Sequence, residues 1–272
     1  RKNKVIVNST WLIFGKIAQL IISFFVGILT ARFLGPNNYG VLNLAMAYVS
    51  FAVPLCTLGI HNIIVKEFID NPKNEGELIG SGIAIRILSS LVAIIVLIII
   101  VYLLHPEDKV LIYTSAIYSF VLVFRSFDLF DYWYQSKLLS KISAGIGIIA
   151  YILTSIFRIA ILFWGKSIYW FAFAYVLDLI IIMILYLLVN KKRGCIKLSY
   201  NLKTSWGLVK KSYHYILSAM MVVIYAQMDK VMIGRMMDTS AVGLYSTAVT
   251  ICGLWTFVLQ AIIDSARPTI IQ

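Results

Sequence analysis

The chain has 272 residues, 61% hydrophobic and 13% charged, with a mean hydropathy of +0.89. Soluble domains are about 45–50% apolar and about 25% charged, so this composition excludes an ordinary soluble domain and a disordered one. Twenty-four Lys and Arg against 12 acids give a net charge of +12, but most of these cations sit in short loops between apolar spans, which argues against nucleic acid as a partner.

A spanning helix needs about 20 mostly apolar residues. Eight stretches meet that length: 10–31, 41–64, 78–104, 110–130, 142–164, 168–190, 213–234 and 243–264. The expected fold is therefore an all-α polytopic membrane bundle. Gly35-Pro36-Asn37-Asn38, Asp70-Asn71-Pro72-Lys73-Asn74, His105-Pro106-Glu107-Asp108 and Trp164-Gly165-Lys166-Ser167 supply the breaks. The first stretch carries Lys16 and Gln19 and lacks a convincing small-residue cleavage site, so it reads as a retained helix and not a signal peptide. Pro54 followed by Gly59 predicts a kink in the second. Cys56, Cys195 and Cys252 show no paired or metal-like spacing. They read as unpaired thiols without a catalytic role, and no metal site is expected.

The positive-inside rule sets the orientation. A cytoplasmic N-terminus puts 15 loop cations inside, seven of them in the loop 191–212, and leaves Arg32, Lys109, Lys166 and Arg235 outside. That loop reads as a topology signal in contact with anionic head groups.

Residues 31–45 and 234–248 align at an offset of 203, matching Arg32 with Arg235, Gly40 with Gly243 and Ala45 with Ala248. Helix 7 then repeats helix 1, and the six helices starting from helix 1 give both copies the same direction through the membrane. The chain divides into a six-helix lobe (1–190), a basic loop (191–212) and the start of a second lobe (213–272). It reads as a fragment of a longer two-lobe protein.

Five cations fall inside spans, Lys16, Arg86, Arg125, Arg158 and Lys230, with three acids, Asp128, Asp178 and Asp229. A charge at mid-bilayer costs about 2.5–3.5 kcal/mol on insertion scales, so these groups should face protein or a wet cavity, or snorkel. Helical spacing puts Lys16, Gln19 and Ser23 on one face, Gly82, Arg86 and Ser90 on another, Gly147, Tyr151, Thr154 and Arg158 on a third, and His214, Ser218, Tyr225 and Asp229 on a fourth. Four polar stripes imply a shared hydrated cavity, and its net positive charge favours an anionic, phosphate-bearing substrate. Lys16, Arg86, Arg125, Arg158 and Lys230 are the candidate substrate contacts. Snorkelling is the competing reading for Lys16, Arg86 and Lys230, and an i,i+3 structural pair for Arg125 with Asp128. Asp178, the deepest acid, is with Asp229 and Asp128 a candidate for ion coupling.

The run Ala31–Lys66, with D-L-F-D-Y-W-Y-Q at 128–135, Q-M-D-K-V-M-I-G at 227–234 and V-G-L-Y-S-T-A at 242–248, resembles the bacterial O-antigen and polysaccharide flippases of the superfamily that includes the MATE exporters. The resemblance implies a non-enzymatic transporter in the bacterial inner membrane, with two lobes around a cavity open alternately to each side. It implies a polyprenyl-diphosphate-linked oligosaccharide as substrate, no cofactor, possible coupling to protons or sodium, and other polysaccharide assembly proteins as partners. A MATE-type drug exporter should show an acidic cavity instead. A lipid II flippase handles the same diphosphate and stays open as an alternative. A membrane polymerase would need a large extramembrane loop with catalytic acids, and 191–212 has no Asp or Glu.

Overall fold

The computed structural model describes residues 2–165, 167–193 and 196–253, without the side chains of 2–16, 18 and 193. It is an all-α polytopic membrane protein. The helices are α1 (Lys2–Thr57), α2 (His61–Asp70), α3 (Glu75–Leu104), α4 (Lys109–Ser119), α5 (Val121–Phe124), a 3-10 turn (Arg125–Asp128), α6 (Leu129–Ser136), α7 (Ser140–Phe163), α8 (Ile168–Arg193) and α9 (Leu202–Met236). Within the described residues a further helix covers 239–253. Among the described residues, six segments are long and apolar enough to cross a membrane.

The first of these segments contains both predicted spans at the N-terminal end. Gly35 (φ 70°, ψ 170°) breaks α1 into two arms, and Pro36 opens the second arm, where a missing N–H costs nothing. Side-chain contacts fix the arms as antiparallel. The first arm runs parallel to α7, since Gln19 lies by Gly147 and Ser23 bonds Tyr151. α7 is antiparallel to α8 through Thr154 with Asp178 and Arg158 with Tyr175. α8 is parallel to α4 through the ring pairs Tyr113–Tyr169 and Tyr118–Tyr175. Arg86 reaches Arg125 and Ser90 reaches Leu122, so α3 opposes the α4–α5 run. Tyr48 meets His105 and Leu55 meets Ser89, so the second arm of α1 opposes α3. α9 runs with α3, from Ser205–Ser81 to Arg235–Leu104. By the same chain of contacts, α9 points in the direction of the first arm of α1.

Three elements depart from the sequence expectation. The kink expected after Pro54 falls at Leu58 and Gly59, both at positive φ, where α1 stops and α2 begins. The stretch 110–130 is not one helix, because Phe120 and the 3-10 turn interrupt it. The expected loop 191–212 is mostly helical. α8 runs to Arg193, and α9 begins at Leu202, where the Asn201 side chain accepts from the Lys203 amide. At 35 residues α9 is about 52 Å long, beyond the ~30 Å hydrocarbon core, so its basic first turns project past the membrane.

The linker between them lies on α3. Ser199 N donates to Gly76 O at 3.3 Å, and a Cβ on Gly76 or Gly80 would overlap the carbonyls of Lys197 or Ser199. A pair of glycines four apart leaves α3 flat enough for an extended strand to lie against it.

Candidate functional site

Two hydrophobic clusters hold the bundle, one towards each end. One includes Leu42, Val101, Leu111, Ile161 and Phe171; the other includes Ile64, Ile79, Leu129, Phe130 and Leu208. α3, the α4–α6 run, α7 and α8 pass from one cluster to the other, and at the crossover each carries polar residues. On α3 these are Arg86 and Ser90, on the α5–α6 run Arg125, Ser126 and Asp128, on α7 Thr154, Ser155 and Arg158, and on α8 Asp178. A polar layer at mid-bundle results. It follows from insertion cost, because charges at this depth are tolerable only where protein surrounds them.

Within the layer, Arg86 is 2% exposed. Its Nη2 donates to the Arg125 carbonyl at 3.1 Å, while Nε and Nη1 are buried with no hydrogen-bond partner among the described residues. Arg125 Nε lies 3.6 Å from Asp128 Oδ2. The 3-10 turn explains that pair, since residues i and i+3 eclipse there. Beside them opens a cavity of about 440 Å³, with His61, Tyr132 and Ser218 among its walls. His61 stacks on Tyr132 at 6.4 Å between ring centroids. Two arginines against one aspartate leave this cavity net cationic.

Arg158 belongs to an adjoining cluster. Its guanidinium stands 3.9 Å over the Tyr175 ring and 5.9 Å from that of Tyr151. Asp178 accepts from Thr154 Oγ1 at 3.0 Å, and no ion pair joins it to Arg158 among the described residues. Tyr118 bridges the two clusters, its ring 5.6 Å from Tyr175 and within electrostatic reach of both Arg125 and Arg158. Arg86, Arg125, Asp128, Arg158 and Asp178 thus share one tract.

Lys230 and Asp229 stand apart from it. Lys230 is half-buried, and Asp229 accepts from Tyr245 and, at 3.3 Å, from the Lys230 amide. The Lys16 side chain lies outside the described residues, as do Lys166, Cys195, Arg267 and the span beyond residue 253. The α9 stripe divides, with Ser218 in the cavity wall and Tyr225 89% exposed. Sequence reading missed Tyr118 and Tyr175 and did not count His61 among the candidate contacts. Tyr132 did carry a signal, because it lies within the motif at 128–135.

A family described as polysaccharide biosynthesis protein matches residues 5–272. The chain belongs to this family. No curated protein and no solved structure matches it. A polysaccharide biosynthesis protein with this multi-pass bundle has a flippase's role in making polysaccharide, and members of the family are generally transporters and not enzymes. A bilayer surrounds the apolar helices of such a bundle.

Proposed function

We propose that this protein carries a polyprenyl-diphosphate-linked oligosaccharide from the cytoplasmic to the outer leaflet of a bacterial inner membrane by alternating access. The observation that carries this reading is Arg86. Burying a charged donor without a partner costs more than the about 1–3 kcal/mol of an ordinary unmade bond. Arg86 keeps two N–H groups in that condition at the rim of a net cationic cavity. An incoming diphosphate supplies charged acceptors in the geometry a guanidinium fork matches. His61, Tyr132 and Ser218 offer the ring faces and hydroxyls that sugars use. The oligosaccharide's identity has no residue signature here.

The test is surface polysaccharide in cells expressing Arg86→Gln or Arg86→Lys. Loss of one charge-assisted contact, about 1.5–3 kcal/mol, should lower transport by roughly ten- to a hundredfold in Arg86→Gln at normal protein abundance. Arg86→Lys should recover part of it. Wild-type polysaccharide in Arg86→Gln would refute the proposed site, and loss of protein abundance in both variants would make Arg86 a structural residue.

Asp178 is the coupling residue in this reading. It lies in the same layer, bonded by one hydroxyl and, among the described residues, by no cation, which leaves carboxylate oxygen for a proton or sodium ion. Asp178→Asn should abolish the dependence of flipping on the ion gradient. An unchanged dependence would remove Asp178 from the mechanism.

A further inference from the structure

On the other side of the helices that wall the Arg86 cavity lies an apolar groove of about 770 Å³, formed by the second arm of α1, by α3 and by α9. We infer that this groove holds the polyprenyl chain of the anionic lipid substrate, an inference that rests on the flippase reading above.

Apart from the Trp206 indole at one end, its lining offers a ligand only hydrocarbon. The two side chains in it with hydroxyl groups are already satisfied by the protein: Ser89 Oγ donates to the Leu55 carbonyl at 2.8 Å, and Tyr48 is hydrogen-bonded to His105 at 2.7 Å. Its length selects the hydrocarbon. The groove follows α3 from Ile85 to Val101, about 24 Å at ~1.5 Å per residue. One leaflet contributes only about half of a ~30 Å core, so an acyl chain fills part of the groove, and a polyprenyl chain, which crosses the midplane, fills it throughout.

Charge picks the head group. At the basic end stands Trp206, 68% exposed, in the position that tryptophans take at membrane interfaces. Lys203 and Lys210, three before and four after it, share its helical face, and both are exposed without an ion pair among the described residues. They form a cationic mouth for an anionic head. Position links mouth and cavity. α1 turns Leu55 to the groove and Thr57 to the Arg86 cavity, and α9 turns Met220 to the groove and Val222 to the cavity. A chain in the groove therefore lies about one helix diameter, ~10 Å, from the head-group site.

The experiment is photocrosslinking of the protein in nanodiscs, with p-benzoylphenylalanine replacing Leu88 or Val96 in the groove, or Ile95, which is exposed on α3 outside it. The probe is a radiolabelled long-chain polyprenyl phosphate without sugar. Labelling at Leu88 and Val96 should exceed that at Ile95 several-fold. Excess unlabelled polyprenyl phosphate should displace it, and phosphatidylglycerol should not. Lys203→Glu with Lys210→Glu should lower it several-fold. Equal labelling at Ile95, displacement by phosphatidylglycerol, or no labelling would each overturn the inference. Repeating the labelling in Arg86→Gln separates the two claims. Groove labelling that persists there while transport is lost supports both, whereas a groove that fails to label leaves the Arg86 site to its own test.

Discussion

Arg86 and Arg158 are both buried and both lie in the polar layer, yet their surroundings differ. Arg158 is held against the Tyr175 face, a contact worth about 2 kcal/mol or more when desolvated. Arg86 has one carbonyl. That difference is why the head-group site is placed at Arg86, with Arg158 an adjoining positive wall. A third group, His105, sits between spans and reports on the opposite end of the bundle. Burial, and after it the Arg235 guanidinium, hold its ring below the usual histidine value of 6.5, with Asp108 pulling the other way. The folded form therefore favours the neutral ring that bonds Tyr48. As pH falls through 6.5 the unfolded chain takes up the proton first, so stability drops on acidification and is flat at higher pH. The thermal midpoint of the detergent-solubilised protein should fall between about pH 7.5 and about pH 5.5, and His105→Gln should flatten that slope. A slope unchanged by His105→Gln would assign it to other groups.

At the scale of elements, hydropathy located every spanning stretch within the described residues, because length and apolarity are set by the bilayer and are visible in one dimension. It did not reveal where helices break or extend. The 3-10 turn at Arg125–Asp128 has no Gly or Pro to announce it; it is held by the Arg86 bond to the Arg125 carbonyl, 39 residues away in sequence. The helical start of α9 was hidden because Lys203, Lys210 and Lys211 read as loop, although Ser205, Leu208 and Ser212 bury one face. Gly80 tests the linker packing. Gly80→Val should overlap the Ser199 carbonyl and lift the linker from α3, so protease should cut within 196–201 much faster than in the parent protein. An unchanged cutting rate would mean that the linker does not depend on this contact.

For the whole molecule, the charge count and the fold sort the loops into the same two sets. Glu75 with Lys137 and Glu67 with Lys211 tie together one end; Leu104 with Arg235 and Asn37 with Thr239 tie together the other. We propose that the first, basic end is cytoplasmic. A cysteine at Lys197 should then resist an impermeant thiol reagent in intact cells, and one at Lys109 should react; the reverse would invert the direction of flipping. The offset of 203 also has a spatial counterpart. A Cβ on Gly40 would strike the Thr239 carbonyl, and one on Gly243 would strike the Pro36 carbonyl, and Pro36 and Thr239 are themselves 203 apart. Such reciprocal contacts are those of a local twofold between the two matched segments. What the sequence could not show was which of its charged stripes converge. That needed the order of helices in space, and the order joins Arg86, Arg125 and Arg158 but not Lys230.

The cationic layer around Arg86 is proposed to move a diphosphate-linked sugar lipid across the membrane. The most direct measurement is flipping of a fluorescent polyprenyl-diphosphate oligosaccharide in proteoliposomes, read by the fraction that becomes accessible to an external quencher. The parent protein should flip it, and Arg86→Gln should slow it by roughly ten- to a hundredfold, as expected for one lost charge-assisted contact. Equal rates for parent and variant, or no flipping by the parent under an imposed ion gradient, would contradict the account.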